Sequence, residues 1–343
     1  MPAAIFSPHG SSPRRAGLSG RRYLVTGGCG FIGSHLAERL IALGDAVRIL
    51  DDLSTGHIGN APAAAELVIG DVADEALVRD ALRDVDGCFH LAAAASVARC
   101  NAEAIATNRV NLRGTLTVLA AASRAQVPTV YASSAAVYGA NPAVPLRETG
   151  GTKPLSVYAA DKLACELHAA VANHLHGLPS VGLRLFNVYG PRQDPASSYS
   201  GVITIFAECL RHGRKITVFG DGNQVRDFVF VGDVVEIFIE AMAGCRSGAF
   251  ICNVCTGEGT TILGLAELLA EVAGVPARIA FAPPRAGDVR ISIGDPSRLL
   301  ETYARPPATT LRHGLSDLLR EGASAPMRVR AGGAMAPWTV LRS

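Results

Sequence analysis

Short aliphatic runs recur along the first half of the chain, each followed by an amphipathic stretch. "RRYLVTG", "AVRILD", "ELVIGD", "GCFHLAAAA" and "PTVYASS" are dense in Val, Ile, Leu and aromatic residues and lack the alternation of a half-exposed strand. That pattern predicts strands buried on both faces. Between them, "FIGSHLAERLIALG" and "DEALVRDALR" repeat apolar residues at helical spacing, and one long helix is predicted from about Ala102 to Ala125. Another, "VYAADKLACELHAAVANHLHG", leads into the strand "SVGLRLFN". Strands alternating with helices predict an α/β fold built on a parallel sheet covered on both sides.

Beyond Asn187 the rhythm loosens. Proline and glycine become denser in "YGPRQDPASS", "FGDGNQ" and "FAPPRAGD", and the elements shorten. A main unit over 21–187 and a second, smaller region over 188–320 are expected. "RDFVFVGDVVEIFIEAM" and its neighbours, near 225–255, are expected to return the chain to the first unit. The Pro-, Ser- and Gly-rich residues 1–20 read as a disordered arm, and 321–343, which lack periodicity, as a loosely held tail.

With 343 residues, 49% of them hydrophobic, the chain can build a large core. A formal net charge of +2, with scattered basic residues, argues against nucleic acid as partner. No apolar stretch approaches the ~20 residues that span a bilayer, so no membrane partner is expected. The eight cysteines are spread through apolar segments, as in reduced, cytoplasmic proteins. "CNVC" at 252–255 has no second pair or nearby histidine to complete a zinc set, and "HLH" at 174–176 splays its histidines on a helix. No metal is expected.

Candidate chemistry begins with "VTGGCGFIGSHLAERL", which sets Gly27, Gly30 and Gly33 between a strand and a helix. The first glycine permits a tight turn and the second lets backbone approach a pyrophosphate. The third allows the helix to pack closely, its N-terminus facing the phosphates. Asp51 closes the next strand, where a carboxylate accepts from both adenosine-ribose hydroxyls and repels a 2′-phosphate, so NAD is favoured over NADP. "GDV" would bring Asp71 toward the adenine, although a turn aspartate would look the same.

"SVYAADKLACE" places Tyr158 four residues before Lys162, one helical turn apart. A free phenol, with a pKa of about 10, is a poor base at neutral pH, but a lysine one turn away stabilises the phenolate. Tyr158 could then take a proton from a carbinol as its hydride leaves for NAD. Ser134, with Ser133 as the alternative, would hydrogen-bond the same oxygen.

Taken together, "TGGCGFIG", "HLAAAASV", "NRVNLRGTLTVL", "YASSAAVYG", "YAADK", "LRLFNVYGPRQDP", "GDGNQVRDFVFVGDVV" and "PPRAGDVRISIGD" resemble the extended short-chain dehydrogenase/reductases, in their NAD-dependent nucleotide-sugar epimerase/dehydratase branch, closest to UDP-glucose and UDP-N-acetylglucosamine 4-epimerases. The likeness spans about Arg22 to Arg320. It implies a Rossmann-type doubly wound sheet carrying NAD and a C-terminal region that binds a UDP-sugar. A homodimer joined through two long helices per subunit, about 102–125 and 156–176, is implied as well. Phe31, Ile32, Val72, Ala92 and Lys162 would join the glycines, Asp51 and Asp71 around the cofactor. Ser134, Tyr158 and Lys162 would be catalytic. Asn187, Arg226 and Arg285 would hold the diphosphate and Asp288 the uridine ribose, although Arg226 and Asp227 could instead form a surface ion pair.

Family 4,6-dehydratases carry an Asp-Glu pair after the serine and the uronate decarboxylases a glutamate, whereas this chain has Ala135 and Ala136. The resemblance therefore implies 4-epimerisation, with a dehydratase, decarboxylase, reductase or non-catalytic NAD sensor as rivals. Ser292 stands where the family walls off the sugar's 2-substituent. Its small size implies room for N-acetyl, hence UDP-N-acetylglucosamine/UDP-N-acetylgalactosamine first and UDP-glucose/UDP-galactose second. One departure is Cys255, in "NVCTG", where the family usually carries glycine.

Overall fold

The computed structural model describes residues 20–193, 201–285, 287–303 and 306–324. Apart from Gly20, the arm expected over 1–20 lies outside the described residues. So does the expected tail, apart from 321–324, which finish the last helix.

In chain order the first unit contains β1 (Arg22–Thr26), α1 (Phe31–Ala42), β2 (Ala46–Asp51), β3 (Glu66–Ile69), α2 (Glu75–Ala81), β4 (Gly87–His90), α3 (Val97–Ala102), α4 (Ala104–Asn108), α5 (Gly114–Ala125), β5 (Thr129–Ser134), α6 (Val157–His176) and β6 (Ser180–Leu185). There follow β7 (Asn187–Tyr189), α7 (Val202–Arg211), β8 (Ile216–Phe219), β9 (Val225–Arg226), β10 (Phe228–Phe230), α8 (Val231–Gly244), β11 (Ala249–Val254), β12 (Thr260–Thr261), α9 (Ile262–Val272), β13 (Ile279–Ala282), β14 (Ile291–Ser292), α10 (Ser297–Thr302) and α11 (Leu311–Ser324).

Seven strands form one sheet in the order β11-β6-β5-β4-β1-β2-β3. Every pairing within it is parallel. Alternate residues of each strand enter opposite cores, as a two-residue side-chain period requires. Val25, Ile49, Phe89 and Val130 pack with Leu36, Val234 and Phe238 from α1 and α8 on one face. Leu24, Leu50, Cys88 and Tyr131 pack with Val78, Val118 and Ala169 from α2, α5 and α6 on the other. Burial on both faces is why these strands read as unbroken apolar runs. From β1 the order proceeds outward in both directions, so a crevice opens between the ends of β1 and β4. Segment 231–254 belongs to this unit: α8 covers it and β11 forms its edge.

Two predicted elements need correction. The single helix over 102–125 instead begins at Val97, capped by Ser96 Oγ accepting from Arg99 N at 3.0 Å. It breaks at Glu103 (φ −121°, ψ 47°) and passes through a π-helical turn at Arg109–Arg113. In that turn Asn111 points inward and holds both backbone groups of Ala94, at 2.8 Å and 3.3 Å, a use of polar atoms that periodicity does not register. Strand "GCFHLAAAA" ends at His90: Leu91 N still reaches the Thr26 carbonyl at 3.1 Å, but Ala92 N turns to the Thr26 side chain, Oγ1, at 3.2 Å.

The second region has its own core, in which Ile203, Phe206, Ile216, Val218, Leu265, Leu269 and Leu315 are buried. Strands β8 and β13 pair beside it, and β12-β9-β14 form a three-stranded sheet that carries Arg226 and Ser292.

Candidate active site

Gly27 turns the chain out of β1 with φ +70°, a conformation that favours glycine. A Cβ there would lie 2.7 Å from Ala92 N, so the two loops flanking the crevice touch through backbone. At Gly33 a Cβ would come within 2.2 Å of Gly27 O, which is the close packing of helix on loop expected from the spacing. Gly30 caps the 12-residue α1, and its first turn contains no acidic residue, so the helix N-terminus is free to face an anion. These features fit a dinucleotide's pyrophosphate. Phe31 and Ile32 occupy that first turn, half-buried.

Asp51 is 7% exposed. Its Oδ2 accepts from Cys29 N and its Oδ1 from Leu53 N, both at 2.9 Å. Burial raises its pKa, Asp52 adds to that, and the two N–H groups oppose it. Each oxygen keeps acceptor capacity for a ribose hydroxyl. Asp71 is already engaged: Oδ1 accepts from Ala73 N at 2.8 Å, and Oδ2 accepts from Arg109 through two nitrogens, at 2.7 Å and 3.0 Å. Val72 is buried under α5, where a Cβ on Gly114 would meet its Cγ1 at 2.5 Å. Its side chain belongs to the core.

Helix α6 presents Tyr158 and Lys162 toward the end of β5. Ser156 starts it, accepting from Ala159 N at 3.1 Å. Lys162, 4% exposed, donates to Ala132 O at 2.8 Å, and its Nζ lies 5.8 Å from the Tyr158 ring centroid. The two candidate serines separate clearly. Ser133 is buried and donates to Glu166 Oε1 at 2.5 Å, whereas half-buried Ser134 caps the turn Ala135–Tyr138, accepting from Ala136 N at 3.2 Å. Of the two, Ser134 alone is partly exposed, and its hydroxyl is not committed to Glu166.

His90 closes β4 nearby, 4% exposed. Thr115 Oγ1 gives its proton to Asn111 O at 2.6 Å, so it accepts from His90 Nε2 at 2.9 Å, and Thr26 Oγ1 donates to Nδ1 at 2.7 Å. Burial, with Lys162 adding to it, pushes the His90 pKa down to about 3, so the ring is neutral at physiological pH.

The proposed nucleotide residues gather on the second region. Arg226 and Ser292 are register partners on β9 and β14, and Asn187 N donates to Asp227 O at 3.0 Å on the other side. Arg226 pairs with Asp288 at 2.5 Å. The alternative ion pair of Arg226 with Asp227 does not form. Asp227 is fully buried, accepting from Thr256 N and Oγ1, Gly257 N and Gly294 N, while Arg226 turns instead to Asp288. Arg285 lies over the Phe219 ring, 3.9 Å from its centroid. Two β-type hydrogen bonds fasten this region to the first unit: Leu146 N donates to Ile293 O at 2.8 Å and Asp295 N to Leu146 O at 2.9 Å.

Cys252 and Cys255 are packed in the first core, and burial lifts the Cys252 thiol to about 12. Sequence reasoning missed Asn111, His90 and the buried Glu166–Arg184 pair, in which one carboxylate oxygen takes Arg184 Nε at 2.9 Å and the other a terminal nitrogen at 2.7 Å. Glu166 had a signal: it stands four residues after Lys162, hence on the same buried helix face.

A doubly wound parallel sheet with a glycine loop and an acidic strand end at its switch point, facing a Tyr–Lys helix, defines a dinucleotide-dependent enzyme of the Rossmann class. The chain belongs to the NAD dependent epimerase/dehydratase family, whose model matches residues 23–255. It is 40% identical over 305 residues to a UDP-glucose 4-epimerase of Mycolicibacterium smegmatis, covering 86% of this chain and 96% of that one. It is also 32% identical to UDP-glucuronic acid decarboxylase 1 of Arabidopsis thaliana, over 91% of this chain and 72% of that one. Among solved structures, a UDP-N-acetylglucosamine 4-epimerase from Methanobrevibacter ruminantium in complex with UDP-N-acetylmuramic acid superposes with TM-score 0.86 at 34% identity, covering 90% of this chain and 99% of that one. A Thermus thermophilus UDP-glucose 4-epimerase in complex with NAD does so with TM-score 0.82 at 38% identity, covering 89% and 100%.

Proposed function

We propose that the protein is a UDP-sugar 4-epimerase that inverts C4 through a transient 4-keto sugar. Gly27, Gly30, Gly33 and Asp51 hold the NAD, with Lys162 at its nicotinamide ribose. NAD, when bound, would supply the hydride acceptor and donor for C4. Tyr158 takes the proton of the C4 hydroxyl and later gives it back. Lys162 stabilises the phenolate by charge, and the Ser134 hydroxyl orients the reacting oxygen.

One observation carries the choice of reaction. The turn after Ser134 offers methyl groups, Ala135 and Ala136, where elimination or decarboxylation needs an acid or base. A 4-keto hexose has no carboxylate to lose as carbon dioxide, and the two alanines supply no acid–base pair for eliminating water, which favours reduction. Asn187, Arg226 and Arg285 are assigned to the diphosphate and Asp288 to the ribose, Arg226 because a guanidinium fork matches phosphate oxygens. Small Ser292 beside Arg226 supports UDP-N-acetylglucosamine and UDP-N-acetylgalactosamine as the preferred pair, with the plain hexoses also accepted. A homodimer through the two helical segments is supported by an exposed apolar stripe, Leu167, Val171 and Leu175 on α6, with Ile105 92% exposed on α4.

The test incubates purified protein with UDP-N-acetylglucosamine, without added cofactor, and follows the sugar by proton NMR and mass. A C4 epimer of unchanged mass is expected. A product lighter by water or carbon dioxide would overturn the assignment.

A further inference from the structure

Glu166 lies one helical turn beyond Lys162 and two beyond Tyr158, buried at 7% exposure. Below it, Ser133 on β5 and Arg184 on β6 are direct register partners. Both donate to the carboxylate, Ser133 Oγ and Arg184 Nε to Oε1 at 2.5 Å and 2.9 Å, and a terminal Arg184 nitrogen to Oε2 at 2.7 Å. The other terminal nitrogen donates to the Tyr138 hydroxyl at 2.9 Å, which donates to Asn253 Oδ1 at 2.6 Å. Asn253 Nδ2 donates to Leu146 O at 2.8 Å, and Leu146 N reaches Ile293 O, next to Ser292, also at 2.8 Å.

None of these side chains is assigned to substrate or cofactor, yet they bracket a residue that is. Ser133 precedes Ser134, and Tyr138 ends the turn that Ser134 caps. Both are fastened to one Glu166–Arg184 pair, and the same glutamate fixes the register of the helix bearing Tyr158 and Lys162. A buried ion pair is often no more stabilising than apolar residues of equal volume. Its distinctive contribution is directional: a planar fork and three hydrogen bonds define one separation of β5, β6 and α6.

We infer that Glu166, Arg184 and Ser133 are positioning residues that hold Ser134 at a fixed distance from Tyr158 and Lys162. Through Tyr138, Asn253 and Leu146 they also tie that distance to the segment carrying Ser292. The inference rests on the catalytic roles proposed above for Ser134, Tyr158 and Lys162. Displacing a reacting group by about 1 Å can lower turnover about 100-fold, so a loosened clamp acts on kcat rather than on binding.

The test uses the NAD-loaded enzyme and the better of the two UDP-hexoses. Ser133→Ala removes the hydrogen bond to the Glu166 carboxylate and should lower kcat about tenfold, with KM within about twofold and bound NAD unchanged. Glu166→Ala should lower kcat about 100-fold. Glu166→Gln, whose amide oxygen can still accept from Ser133 and Arg184 Nε, should recover about tenfold of that loss even where its melting temperature stays low. A purely structural ion pair predicts equal losses for Gln and Ala, and that result, or kcat of Ser133→Ala within twofold of wild type, overturns the inference. Amide exchange over residues 134–139 supplies a readout independent of turnover: it should accelerate in Ser133→Ala while α1 and α8 are unchanged. If the wild type turns over no nucleotide sugar, the proposed reaction fails, and unaccelerated exchange in that turn rejects the clamp separately.

Discussion

Gly294 and Cys255 are predicted to be energetically coupled. A Cβ on Gly294 would lie 2.5 Å from Cys255 Sγ, 2.6 Å from Cys255 Cβ and 2.7 Å from Phe186 Cζ. Cys255 is 0% and Phe186 4% exposed, so neither can swing into solvent. Ordinary carbon contacts sit near ~3.5–4.0 Å. Gly294→Ala therefore overlaps its neighbours by about 1 Å, and overpacking of this kind destabilises by about 1–3 kcal/mol. Cys255→Gly alone opens a cavity and should be destabilising too, by about 1–3 kcal/mol. In the double variant the new methyl enters the space left by the thiol. Two of the three close contacts vanish, and the total should fall short of the sum by at least about 1 kcal/mol. Urea denaturation of the four proteins with NAD held at one concentration measures the cycle. Additive losses within about 0.5 kcal/mol would refute the packing argument. Because "ISIGD" carries Ser292, Gly294→Ala should also raise KM for the nucleotide sugar, and Cys255→Gly should restore it in part. The glycine that the family usually carries at position 255 would leave room for a side chain at 294; this chain has the reverse arrangement.

Tyr158→Phe should retain NAD and lose most turnover, and full activity in that variant would remove Tyr158 from the mechanism. His90 is neutral in the folded protein down to about pH 3, whereas the unfolded chain takes up a proton near ~6.5. Below about 6.5 the unfolded state binds more protons, so stability should fall with pH by up to about 1.4 kcal/mol per unit from this group. His90→Gln should flatten that dependence in denaturation curves at pH 4–6, and an unchanged slope would contradict the buried, neutral ring. Burial raises the thiols of Cys29, Cys88 and Cys252 to about 12 and Cys245 to about 11. At pH 8 a thiol reagent should therefore label the native protein at half-buried Cys209 alone and all eight cysteines in denaturant. Leu167→Glu combined with Leu175→Glu should give a monomer by light scattering, and a dimer of unchanged affinity would reject the α6 stripe as the interface.

The sheet was legible because parallel strands are buried on both faces, so "YLVT", "VRIL" and "TVYASS" announce themselves without tertiary information. Gly27 and Gly33 were legible because backbone geometry demands glycine at those positions, and Asp51 stood out as an acidic residue closing the second strand. What stayed hidden is long-range. Whether Ser133 or Ser134 faces the crevice depends on Glu166, 33 positions from Ser133 and on another element. The break at Glu103 and the π-helical turn around Asn111 depend on where Ala94 needs hydrogen bonds, and helical periodicity continues through both. Asp227 looked like a surface partner for Arg226 because the chain sequence does not reveal that Thr256, Gly257 and Gly294 would converge on it.

In the proposed reaction one hydrogen leaves C4 and returns to the same carbon without meeting water. Deuterium placed at C4 of UDP-N-acetylglucosamine tests this most directly, with mass and NMR analysis of the product formed in ordinary water with no added cofactor. The expected product is an epimer that keeps its deuterium at C4. Replacement of that deuterium by solvent hydrogen, or its appearance at another carbon, would contradict it.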